Sequence, residues 1–143
     1  ISIQTVAFAS PDGATRIYNL LDDKYDAFSL SLSKEMIDFF DLDIDMNGKE
    51  KWVTGDFTKG KLMTIDSEKI KAKTICTLFK DEKYKQIDIE DEIEDEDSNS
   101  EVYLFIERNG KNISQAHFVI ENEENIILLS IYGDMQVKNK KAQ

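Results

Sequence analysis

The order of apolar and polar positions divides the chain into a mostly helical first half and an alternating second half. Ser10-Pro11-Asp12 has the make-up of a helix start: a capping hydroxyl, proline at the first helical position and an acid against the dipole. Ile17, Leu20, Leu21 and Tyr25 follow at helical spacing and predict one apolar face. Phe28-Ser29-Leu30-Ser31-Leu32-Ser33 then alternates strictly, the pattern of a strand with one buried face. Ser33 is placed to cap a second helix to Phe40, buried through Met36, Ile37 and Phe40. Residues 41–60 are acidic, contain glycine and are expected to be mostly loop. Leu62-Met63-Thr64-Ile65 predicts a second strand. Asp66 or Ser67 then caps a third helix to about Lys80, with the stripe Ile70, Ile75, Leu78 and Phe79.

Beyond that helix the period falls to two. Ile87, Ile89 and Ile93 alternate with polar residues, as do Val102, Leu104 and Ile106 with Tyr103, Phe105 and Glu107. Arg108-Asn109-Gly110-Lys111 supplies hairpin turn chemistry, because Asn and Gly accept positive φ cheaply. Residues 113–120 form the return strand, residues 121–125 a second turn, and residues 126–132 the last strand. Short connections make neighbouring antiparallel strands. The expected fold is therefore α+β: a C-terminal four-stranded antiparallel meander, with two to three helices from the N-terminal half packed on one face. It forms a single domain over residues 1–143, with 1–9 a short strand or arm and 136–143 a frayed tail.

Composition changes this picture in two places. At 143 residues the chain is long enough for one core without metals or cross-links. Its net charge of −11 argues against nucleic acid or an anionic membrane as partner. Nine carboxylates and no basic residue lie between Asp88 and Glu101, so the rest of the chain carries only −2. That run reads as a solvated hairpin tip held extended by self-repulsion, or as an acidic face for cations or a basic partner. Cys76 is the only cysteine, which excludes an intrachain disulfide. No run of 18 apolar residues exists to span a bilayer as a helix. The chain opens with Ile1 in place of Met, so a segment upstream is expected, and a signal or lipid-anchor sequence there would make the domain an exported one.

Candidate chemistry is sparse. Asp43-Ile44-Asp45-Met46-Asn47-Gly48 places oxygen ligands at positions one, three and five and glycine at six, as an EF-hand calcium loop does. Asp43, Asp45 and Asn47 are thus candidate calcium ligands. Position twelve, however, is Thr54 where a bidentate Glu belongs, and residues 52–57 favour strand or turn over an exiting helix. The competing reading is an Asx-rich turn that ends the second helix. Trp52 and Phe57, among Lys49, Lys51 and Lys59, either form a partner-recognition patch or fold back over the core. His117, the only histidine, shares a face with Gln115 and Val119, opposite Ala116, Phe118 and Ile120, and is expected on the more solvated side. Cys76 lies beside the apolar stripe of the third helix, where a thiol is inert. Spacing assembles no Ser-His-Asp or Cys-His arrangement and no phosphate loop.

Three stretches resemble the exported family catalogued as domain of unknown function 4252. Phe28-Ser29-Leu30-Ser31-Leu32-Ser33-Lys34-Glu35-Met36 is similar to its strand entering a helix. Lys83-Tyr84-Lys85-Gln86-Ile87 is similar to its tyrosine-bearing entry into the meander, and residues 125–135 to its closing strand and Gly-Asp step. The region 91–100 is longer and more acidic than that family's hairpin. The resemblance implies an envelope, lipoprotein or secreted location in Bacteroidetes-type bacteria, no established activity and no functional residues to transfer. The expected function is a non-enzymatic, exported domain that binds an envelope or extracellular protein or gives structural support, with no cofactor. The alternatives are a calcium-binding module through the degenerate loop, and a hydrolase with an unrecognised acidic site.

Overall fold

In a computed structural model, residues 12–38, 43–46, 49–87 and 101–139 are described. Helix α1 (Gly13–Lys24) starts at Asp12, whose carboxylate accepts the Thr15 N–H at 2.7 Å. Aspartate caps as well as serine, so the start expected at Ser10 falls at Asp12 instead. Its buried face is Ala14, Ile17, Tyr18 and Leu21, while Leu20 stands 46% exposed. Tyr18 takes the place predicted for Leu20 because its hydroxyl finds buried partners, described below. Helix α2 (Lys34–Asp38) is capped by Ser33, whose hydroxyl accepts the Met36 N–H at 3.3 Å. Helix α3 (Ala72–Asp81) buries Ala72, Ile75, Cys76 and Phe79. Asp66 and Ser67 do not cap it: the Asp66 carboxylate accepts the Glu68 N–H, and the Ser67 hydroxyl donates to the Glu123 carbonyl. Both tie down the preceding turn.

Among the described residues, seven strands form one antiparallel sheet. They are β1 (Phe28–Ser33), β2 (Asp43–Met46), β3 (Lys49–Asp66), β4 (Lys85–Ile87), β5 (Glu101–Asn109), β6 (Asn112–Glu121) and β7 (Asn125–Asn139). The spatial order is β1-β3-β7-β6-β5-β4, with β2 pairing β3 beyond the end of β1. The α+β class and the β4-to-β7 meander are as expected, but the meander is part of a larger sheet. The stretch 41–60 expected to be mostly loop is largely strand. Met46 pairs Lys49, and residues 47–48 between them lie outside the described residues. Charge concealed the strand because β3 is held by backbone ladders to β2 on one side and β7 on the other, and these need no apolar side chain. Strand β7 likewise runs to Asn139, so part of the predicted frayed tail is paired. The strand expected over residues 84–93 is β4, and its continuation past Ile87 lies outside the described residues.

The helices do not share one face. Helices α1 and α3 cover the side bearing Met63, Phe105, Val119, Ile126 and Leu128. Helix α2 puts Ile37 on the opposite side, with Leu32, Leu104, Ile106, Phe118 and Ile131. Residues 115–119 of β6 are consequently buried one after another, where a strand with one wet face would alternate.

A line of irregularities crosses the sheet. The register shifts between Phe57 and Lys59 in β3, between Ile113 and Gln115 in β6, and between Glu107 and Arg108 in β5. Phe57 faces Gly133, and Gln115 faces both Tyr132 and Glu107, so these shifts lie side by side. At this crease β3 and β7 approach through glycines. A Cβ at Gly55 or Gly133 would run into the carbonyl of Asp134 or Asp56, and Gly55 has φ +140.

Candidate functional site

Between α1, α3 and the sheet lies a continuous buried polar chain. Tyr18 Oη lies 2.8 Å from Ser130 Oγ, and Ser130 Oγ 2.6 Å from His117 Nδ1. His117 Nε2 lies 2.8 Å from Gln115 Oε1, which also accepts the Tyr84 hydroxyl at 2.8 Å. The Gln115 amide reaches Glu107 at 3.3 Å, and Tyr84 Oη accepts the Ala14 N–H at 3.0 Å. The protons follow from these partners. Gln115 Oε1 can only accept, so Nε2 of His117 carries the proton and bare Nδ1 accepts from Ser130. Tyr18 then donates to Ser130 Oγ. Every member has a partner, as a buried polar group requires.

This chain corrects the expectation for His117. Its ring is wholly buried on the helix-covered side, stacked about with Phe79 at 5.1 Å, Tyr84 at 4.8 Å and Tyr132 at 5.8 Å between centroids. The helices pack on the face of β6 that carries Gln115, a face whose polar residues suggested solvent. Burial pushes its pKa down to about 3, with the Asp12 charge opposing. A serine, a histidine and an amide in hydrogen-bond series have the form of a nucleophile, its base and an orienting group. Yet Ser130 and His117 are both 0% exposed, and an imidazole titrating near 3 takes no proton at neutral pH. The chain is a fixed strut.

At its outer end Asp12 is held below the usual carboxylate range. Burial opposes this, but hydrogen bonds from Thr15 and Tyr132 outweigh it. Arg16 makes a two-pronged contact to Glu82, at 2.6 and 3.0 Å, which lowers the Glu82 pKa and ties α1 to the end of α3. Burial raises the Tyr84 hydroxyl to about 12 and the Cys76 thiol to about 11. Cys76 is thus packed and unreactive at neutral pH. Spacing missed this arrangement because Ser130 meets His117 only through the β6–β7 register.

The other sequence candidates are dispersed. Phe57 is buried among Ile113, Ala116 and Met135, so it folds back over the core and takes no part in a surface patch. Trp52 lies on β3 opposite Asp43 and Lys138. Asp43 and Asp45 sit on extended β2 backbone, paired with Trp52 and Glu50, where an EF-hand loop would curl around its ion. Asn47 lies outside the described residues, as does the acidic run up to residue 100. Among the described residues, no group of three or more His, Cys, Asp or Glu side chains is placed to hold a metal ion. A cleft of about 310 Å³ is lined by Lys71, Glu101, Glu121 and Glu123, with the Glu101 carboxylate accepting the Tyr103 hydroxyl at 2.7 Å. No helix among the described residues is long and apolar enough to cross a membrane.

One surface breaks the pattern of satisfied burial. Strand β1 pairs β3 along one side and is, among the described residues, the outermost strand there. The register Leu32↔Gly60, Leu30↔Leu62 puts its apolar residues on the α2 side of the sheet. Phe28 is 63% exposed and Leu30 41%. Met36 on α2 is also 41% exposed, although its position in the sequence suggested burial. The strand carries no charge, proline or bulge, the usual devices that blunt an edge. At the opposite edge β4 has three residues and begins at Lys85.

Neither a family model, nor a curated protein, nor a solved structure matches this chain.

Proposed function

We propose that this chain is a non-enzymatic binding domain that adds an extended polypeptide segment to the β1 edge of its sheet. The observation that carries the reading is the uncharged edge strand with Phe28 and Leu30 exposed. An edge of this kind offers a partner a ladder of backbone hydrogen bonds and seats alternate side chains on one face. The helix-covered side supports this division of labour. Its histidine, serine and tyrosines are consumed by one another, which leaves them no substrate to meet. An exported, envelope-associated setting fits the family resemblance and would supply extended polypeptide partners; it rests on that resemblance alone.

The test is selection of binders from phage displaying random peptides of about ten residues. Selected peptides should alternate apolar and polar residues, and Leu30→Lys should abolish their binding while leaving the fold intact. Peptides that bind equally well to the Leu30→Lys variant would overturn the reading, as would a selection that yields none against a chain that is monomeric in solution.

A further inference from the structure

Building on that edge reading, we infer that the segment β1 accepts is β1 of a second copy, paired antiparallel about a two-fold axis through Leu30. Three observations lead there. Directly opposed residues of an antiparallel pair lie on the same face, so a partner strand must match apolar with apolar. The run Phe28-Ser29-Leu30-Ser31-Leu32 does this with itself: Leu30 meets Leu30, Phe28 meets Leu32, and Ser29 meets Ser31. An isologous interface demands such self-complementarity.

Charge selects the register. With Leu30 on the axis, Asp26 of each copy, two residues before β1, comes level with Lys34 of the other, the first residue of α2. Both residues are exposed. Sliding the partner by two residues one way puts Lys34 against Phe28, and the other way puts Asp26 against Leu32. Each alternative sets a charge on an apolar side chain, which is unfavourable. Lys34 already meets Asp38 at 3.1 Å, but both side chains are about half exposed, and an exposed pair holds its partners loosely.

The third observation is where the exposed apolar residues lie. Of four large hydrophobics exposed among the described residues, three are Phe28, Leu30 and Met36. The inferred pairing brings Phe28 of each copy beside Leu32 of the other, at the foot of the α2 that carries Met36. One operation thus covers Phe28 and Leu30, and the two sheets become continuous across the axis.

Sedimentation velocity on the whole chain over a range of concentrations tests the pairing. The wild type should show a reversible monomer–dimer equilibrium, and Leu30→Lys should be monomeric, melting as the wild type does at concentrations too dilute for its dimer. Lys34→Glu should weaken the dimer about fivefold, and Asp26→Lys combined with Lys34→Glu should restore it, since the swap re-forms both opposed pairs. Leu30→Cys should cross-link under mild oxidation; the buried Cys76 does not compete. A dimer indifferent to Leu30→Lys, or a charge swap that fails to restore, overturns the inference. So does a monomeric wild type, and the displayed peptides then separate two failures. If they still bind through Leu30, the edge remains a recognition site for another chain; if none binds, the edge reading falls as well.

Discussion

The helix-covered side of the sheet and its β1 edge solve the same problem in opposite ways. Beneath α1 and α3, polar atoms were taken out of water only where each could be matched, so His117, Ser130, Gln115, Tyr18 and Tyr84 satisfy one another in series. At β1 the side chains are simple, serine and leucine in turn, and what stands exposed is apolar surface. The first region is closed because its groups are mutually saturated. The second is open because nothing among the described residues on its outer side saturates it. On the proposed reading, titratable chemistry is a poor guide to where this molecule meets others.

The contrast is sharpest where a core side chain is removed. Phe79 stacks on Phe105 at 5.3 Å and touches Tyr84 and His117, and it is fully buried. Phe79→Ala should cost about 3–5 kcal/mol in urea denaturation, through lost burial and the cavity left behind. A loss below about 1 kcal/mol would show that the helix layer is not the seat of stability.

Acid acts on the same side more gently. The His117 pKa is lowered in the folded chain, so the unfolded chain takes up its proton first as pH falls. The stability due to keeping the ring neutral is complete above about pH 6.5 and is lost progressively toward pH 3. Between pH 7.5 and 5.0 the loss should be about 2 kcal/mol, and His117→Gln should flatten that slope even if it lowers stability overall. An unchanged slope in the variant would mean that another group governs acid sensitivity.

The smallest effect belongs to the edge. Leu30→Lys should change the monomer's unfolding free energy by less than about 0.5 kcal/mol, as expected of an exposed position, when both proteins are diluted below dimerisation. A loss of 2 kcal/mol or more would show that Leu30 serves the monomer's own core and would erase the contrast.

How legible was this in the sequence? Periodicity located α1, α2, α3 and the turns at Gly110 and Asn122, because each is specified by local chemistry. It set the alternation of β1 correctly but could not say that the strand lies at an edge, since edge position is a property of the sheet and not of the segment. Residues 49–57 were opaque for a related reason: backbone pairing on both sides made a strand from a charged stretch. His117 was misplaced because alternation alone cannot tell which face the helices will cover. The polar chain needed Tyr18, Tyr84 and Ser130 brought together from three parts of the chain, and spacing carries no such information.

The crease through Thr58, Gly133 and Ser114 interrupts the sheet's backbone register but not its core. On its far side, β2, the first half of β3 and the end of β7 make a three-stranded ribbon that meets β6 in the Ile113–Met135 pair. On the near side, β3 and β7 are locked beneath both core helices by Met63, Ile126 and Leu128. Phe57, Ile113 and Met135 on the far side are buried in one cluster with Ala116, Ile106 and Ile131 on the near side, so side-chain packing runs across the joint where the backbone register slips. Close glycine contacts let β3 and β7 bend there without opening a gap, and the ribbon is bound to the body of the sheet through its apolar face.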